Sequence, residues 1–141
     1  MKIFEQGRDH ALALFRIVLG FLFFCHGASQ LFGVFGAKSQ LAFGVWPGWW
    51  AAAIQLVGGA AVALGVGTRV AAVLCSGSMA YAYFFTHAPK ALLPLQNGGE
   101  QAAMFSWGFL LIAFLGSGRW ALSSVLHRVE RQSGHQAEPA R

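Results

Sequence analysis

Residues 10–33 read HALALFRIVLGFLFFCHGASQLFG, an apolar run broken by one formal charge, Arg16. A membrane-crossing helix needs about 20 mainly apolar residues, with a working range of roughly 17–25. This run qualifies, and the rest of the chain repeats the theme. Ile17–Ala37, Ser39–Thr68, Val70–Pro89 and Gln101–Gly118 contain no Asp, Glu, Lys or Arg. Of 141 residues, 56% are hydrophobic and 11% charged, and mean hydropathy is +0.54. A soluble domain carries about a quarter charged residues. The composition therefore excludes a soluble enzyme, a disordered tail protein and a disulfide-knit secreted module. It predicts an all-α polytopic membrane protein, a four-transmembrane-helix bundle in one domain.

The first run is too long for a cleavable signal sequence, whose apolar stretch is only about 7–15 residues. It reads as an uncleaved first span. The chain then divides into a cytoplasmic N-terminal segment (1–9), a transmembrane domain (10–118) and a basic cytoplasmic tail (119–141). Helices are expected at about 10–33, 49–64, 70–86 and 100–115. Gly65-Val66-Gly67-Thr68-Arg69 reads as a tight turn joining the second and third helices, and Gly116-Ser117-Gly118 as a glycine-rich end to the fourth.

Charge sets the expected orientation. Lys2, Arg8, Arg16, Arg69, Arg119, Arg128, Arg131 and Arg141 lie at the termini, in the first helix and in the second-to-third turn, while the other two loops hold only Lys38 and Lys90. The positive-inside rule then places both termini in the cytoplasm, with Trp46, Trp49 and Trp50 at the outer interface and Trp120 at the inner one. The expected location is the bacterial cytoplasmic (inner) membrane, crossed several times. A net charge of +5 thus reads as a topology signal. No basic run with interleaved aromatics supports a nucleic-acid partner. Cys25 and Cys75 form no C-x-x-C, which argues against a thiol-disulfide oxidoreductase.

On a helix turning about 100° per residue, Gly20, Phe23, Gly27 and Gln30 share the face of Arg16, with His26 to one side. Val18, Phe21, Cys25 and Phe32 fall opposite, toward lipid. Small residues mark close backbone packing in lipid, and Gly58, Gly59 and Ala63 read the same way. Arg16 lies near the inner side with Arg69 and Arg119. It has two readings: snorkelling to headgroups, or joining the polar interior.

Six other polar residues fall at the outer ends of the helices: His26, Gln30, Gln55, His87, Asn97 and Glu100. Asn97-Gly98-Gly99-Glu100 also fits a capping box, with Asn97 as N-cap and Glu100 at N3. Taken together, the six form a candidate polar site able to hydrogen bond and exchange protons. That chemistry suits a lipid-soluble quinone, whose two carbonyl oxygens need donors and whose reduction takes up protons. It does not suit hydrolysis, for which no nucleophile with an adjacent base is evident. A bis-histidine haem on His26 and His87 is the lesser alternative, since no flanking motif accompanies either. No metal site is read from the spacing.

The pieces Leu14-Phe15-Arg16, His26-Gly27, Leu56-Val57-Gly58-Gly59, Thr68-Arg69, Asn97-Gly98-Gly99-Glu100 and Gly116-Ser117-Gly118-Arg119-Trp120 occur in an order that resembles the DoxX family of small four-helix membrane proteins. The resemblance spans about Leu12 to Trp120. It implies a membrane subunit of a complex passing electrons to the quinone pool, with soluble redox or sulfur-transfer enzymes and membrane lipids as partners. The family commonly has Lys at the position of Gln30 and Glu at that of Gln55, so an ion pair is expected to be replaced here by two neutral amides. The alternatives are a non-catalytic membrane anchor and, third, a small-molecule or lipid transporter, which has room for alternating access only as a homo-oligomer.

Overall fold

The computed structural model describes residues 2–36 and 40–123, with side chains from Gly7 onward. Lys38 and the part of the expected tail that carries Arg128, Arg131 and Arg141 lie outside the described residues. Every regular element among the described residues is helical: α1 (Lys2–Phe32), α2 (Gly48–Leu64), α3 (Thr68–Ala82), a π-helical turn (Tyr83–His87), the short α4 (Pro94–Asn97) and α5 (Glu100–Leu115). The α1 helix starts at Lys2, before the expected His10, because nothing in residues 2–9 breaks a helix. The third helix reaches His87 as expected, but its last turn widens to π geometry. Within α1, Gly7–Phe32 is long and apolar enough to cross a membrane, with mean hydropathy 1.9 over an 18-residue window, while α2 and α5 are shorter apolar helices.

The α1 and α2 helices pack on backbone. A methyl group added at Gly59 would sit 2.5 Å from the amide nitrogen of Phe24, and one at Gly20 would sit 2.6 Å from that of Ala63. Gly27 meets α2 in the same way beside Leu56. The neighbouring Gly58 instead faces Cys75 of α3. Small residues thus let three helices approach closely. The remaining core is aromatic and aliphatic. Phe23 is fully buried, with its ring centroid 5.0 Å from Phe105 and 4.7 Å from Phe109. The α3 and α5 helices are further joined by reciprocal bonds: Ser76 Oγ donates to the Ser106 carbonyl at 2.8 Å, and Ser106 Oγ to the Ser76 carbonyl at 3.1 Å.

Outward faces are apolar. Met104, Trp107, Leu111 and Phe114 form one exposed stripe along α5, and Val18, Phe21 and Phe32 are exposed on α1. Cys25, expected on that α1 face, is half-buried; α1 packs against α5 as well as α2, which narrows its free face.

Arg16, Arg69 and Arg119 gather at one end, the basic end. Arg16 is fully buried, which overturns the snorkelling reading. Its Nε donates to the Ser117 carbonyl at 2.9 Å, one terminal nitrogen to the Val62 and Ala63 carbonyls at 2.6 and 2.7 Å, and the other to the Trp120 carbonyl at 3.3 Å. Val62 and Ala63 lie in the last turn of α2, whose carbonyls carry the negative end of the helix dipole, and the Val62 carbonyl also accepts from Gly65 N–H at 3.1 Å. Gly65 ends α2 at φ 77°, and a side chain there would strike Ala121 and the Arg16 guanidinium. Residues 116–123 cross this end, where Ala121 is buried and Ser123 N–H bonds the Gly65 carbonyl. Residues 119–123, assigned by sequence to the tail, therefore pack on the bundle.

Replacing Arg16 with Lys keeps the charge but removes the planar fork that reaches four carbonyls. We expect Arg16→Lys to cost about 2–3 kcal/mol. Thermal unfolding in mild detergent checks this, and an unchanged transition would show that the carbonyl contacts contribute little.

Candidate functional site

At the end remote from Arg16, the four long elements enclose a cleft of about 640 Å³, within the usual ~300–1,000 Å³ range of small-molecule sites. The α2 and α3 helices are tied together at the basic end by the short 65–67 turn. The cleft lies between them, lined by Ile54 and Gln55 of α2 and by Val73, Leu74 and Tyr81 of α3. Its walls are mostly apolar, including Ile54, Val73, Leu74 and Phe105.

Four of the six residues of the candidate polar site line this cleft: His26 and Gln30 from α1, Gln55 from α2 and His87 from the π turn. Gln55 is buried, and Gln30 Nε2 donates to its Oε1 at a long 3.4 Å. His87 is half-buried. Its Nδ1 lies 3.1 Å from the Asn97 carbonyl oxygen. A carbonyl can only accept, so the ring proton sits on Nδ1 and Nε2 carries the lone pair. His26 is half-buried at the cleft wall and, among the described residues, has no protein hydrogen-bond partner. Among the described residues no three His, Cys, Asp or Glu side chains come together.

Asn97 and Glu100 do not line the cleft. The expected capping box is absent, because Gly98 at φ 68° ends α4 and turns the chain, leaving Gly99 as the N-cap of α5. Asn97 is buried and instead braces the loop. Its Oδ1 accepts from Gly99 N–H at 2.7 Å, and its Nδ2 donates to the Ala91 carbonyl at 2.9 Å. A side chain at Gly99 would strike Asn97 Oδ1, His87 and Tyr83 at 2.6–2.8 Å. Asn97, Gly99 and the π turn thus hold His87 in place, and π turns often mark functional sites. Glu100 is exposed as the first residue of α5.

The sequence reading missed Gln101, whose amide lines the cleft one residue beyond Glu100. It also missed Tyr81. The Trp46 ring, on the segment leading into α2, lies 6.1 Å from that of Tyr81, which stacks on Phe85 at 4.4 Å. Aromatic residues at i and i+4, Tyr81 near the end of α3 and Phe85 in the π turn, carried the signal for this cluster. Arg16, Arg69 and Arg119 are all remote from the cleft.

Asn97 and Glu100 should respond differently to replacement. Asn97→Ala leaves a buried N–H and a carbonyl unpaired and is expected to lower stability by about 1–3 kcal/mol. Glu100→Gln is expected to change it by less than about 0.5 kcal/mol. Unfolding of both variants in the same detergent checks the contrast, and equal effects would restore the capping box.

The family model described as DoxX matches residues 11–88, which carry α1 through the π turn. An uncharacterised protein of Haemophilus influenzae is 36% identical over 137 residues, covering 88% of this chain and 96% of its own length. A Bacillus subtilis protein named "Putative oxidoreductase CatD" is 37% identical over 82 residues, covering 52% of this chain and 54% of its own. No solved structure matches. On the family match and the near full-length Haemophilus relative, this chain belongs to the DoxX family.

Proposed function

We propose that the protein is a four-span bundle in the bacterial inner membrane, with both termini cytoplasmic, that binds a quinone in the cleft and serves as the membrane subunit of a redox complex. The observation that carries this reading is the meeting of His26, Gln30, Gln55 and His87 in one largely apolar cleft. The Bacillus relative's name adds the oxidoreductase class. In this reading the domain runs over residues 10–118 between the two cytoplasmic ends. Electrons come from a soluble redox or sulfur-transfer partner. The apolar stripes on α1 and α5 face lipid.

The residues present fit a quinone. Its carbonyl oxygens need donors, which the Gln30, Gln55 and Gln101 amides and the His26 ring supply, and the apolar walls suit its ring. When bound, a quinone supplies a two-electron acceptor that takes up two protons. His87 can take or return a proton at Nε2 while its Nδ1–H stays on the Asn97 carbonyl, so the ring need not turn. A non-catalytic anchor would need neither a cleft nor a histidine without a protein partner at its wall, and His26 therefore favours ligand binding.

Two experiments test this reading. Decylubiquinone is expected to bind the protein in lipid nanodiscs. His26→Phe breaks no protein hydrogen bond and is expected to weaken that binding about tenfold. Absence of binding by the unmodified chain, or equal binding by His26→Phe, would reject the site. For orientation, single cysteines at Ala42 and Val66 are introduced after Cys25 and Cys75 are replaced by Ser. A membrane-impermeant maleimide on intact cells is expected to label position 42 and to reach position 66 only after permeabilisation. The reverse pattern would invert the topology.

A further inference from the structure

We infer that the gap between α2 and α3 is a lateral entry and tail groove, so that the ligand is a membrane-dissolved amphiphile with a long apolar chain. This rests on the proposed headgroup site and adds to it the route and the shape of the ligand. The polar groups do not sit in a closed chamber. They share one continuous cleft with Ile54, Val73 and Leu74, all of which are exposed on the outside of the bundle. The α2 and α3 helices are neighbours joined at the basic end, so the space between them opens outward through the wall of the bundle.

The far end of the cleft is crossed by aromatic rings. Trp46 precedes α2, Tyr81 belongs to α3, and their rings meet at 6.1 Å. That contact spans the gap at the end where water would enter and leaves the side open. An apolar groove running from an outer wall to hydrogen-bonding groups matches an amphiphile whose chain lies between the helices and whose head reaches Gln55 and His87. A small water-soluble ligand would have no use for it.

Gly77 makes the groove testable. It lines the cleft on α3, and a methyl group added there has no heavy atom within 4 Å. A larger side chain at this position starts in open space beside the groove, and replacing a helical glycine does not weaken α3. Gly77→Leu is therefore compared with Gly77→Ala in lipid nanodiscs, using decylubiquinone and the same headgroup without its tail. Gly77→Leu is expected to weaken decylubiquinone about tenfold. Tailless binding should be unchanged, and Gly77→Ala should bind both probes normally. Thermal unfolding verifies that each variant is folded. If the unmodified protein binds both probes and Gly77→Leu fails to discriminate between them, the groove is refuted while the headgroup site stands. If neither probe binds the unmodified protein, both readings fall. A change of oligomeric state on Gly77→Leu would make the gap a contact between copies and also refute the groove.

Discussion

The Arg16 guanidinium donates to the carbonyls of Val62, Ala63, Ser117 and Trp120 from a fully buried position, and the other packing follows from where this holds the chain. No carboxylate partners it among the described residues. The charge is balanced by dipoles: two carbonyls of the last α2 turn and two of the segment beyond α5. A buried charge is tolerated only where such partners surround it. The arrangement fixes α1 against the end of α2 and draws residues 116–123 across both. With that end fixed, Gly20, Gly27 and Gly59 come into backbone contact. The α2–α3 pair is joined at the same end, and the cleft lies between the two helices toward the other.

The cleft at that end is the candidate site. The polar groups that line the cleft are few and uncharged apart from what the histidines can take up. The Gln30–Gln55 pair at the cleft is neutral. Two amides present donors and acceptors at a smaller desolvation cost than an ion pair. A cleft lined this way suits a neutral ligand with carbonyl oxygens more than an anion or a cation. His87 supplies the proton-accepting atom, and its orientation is set by the Asn97 carbonyl and by the lack of a side chain at Gly99.

Much of this was legible in the sequence, for physical reasons that also mark its limit. Helical periodicity put Gly20, Phe23 and Gly27 on the face of Arg16, and all four are buried. The bounds of α5 follow from glycines on either side of an apolar run. Capping was misread, because whether Asn97 caps α5 depends on Gly98 adopting a left-handed turn, which spacing does not show. The fate of Arg16 depended on carbonyls many residues away in the chain. Spacing does not show that Ser76 and Ser106 pair, because their bonds exist only once α3 and α5 come together. Gln101 was passed over for its charged neighbour, though one residue's rotation carries Glu100 out to the surface and Gln101 to the cleft.

The most direct test of the cleft as a ligand site is nitrogen NMR of histidine-labelled protein in lipid bilayers, with and without decylubiquinone. The account predicts that His87 carries its proton on Nδ1 before ligand is added. On addition, the Nε2 resonance of His87 and the ring resonances of His26 should move, while those of His10, at the basic end against Trp120, should not. Unmoved His26 and His87 resonances at saturating decylubiquinone, or a His87 proton on Nε2, would contradict it.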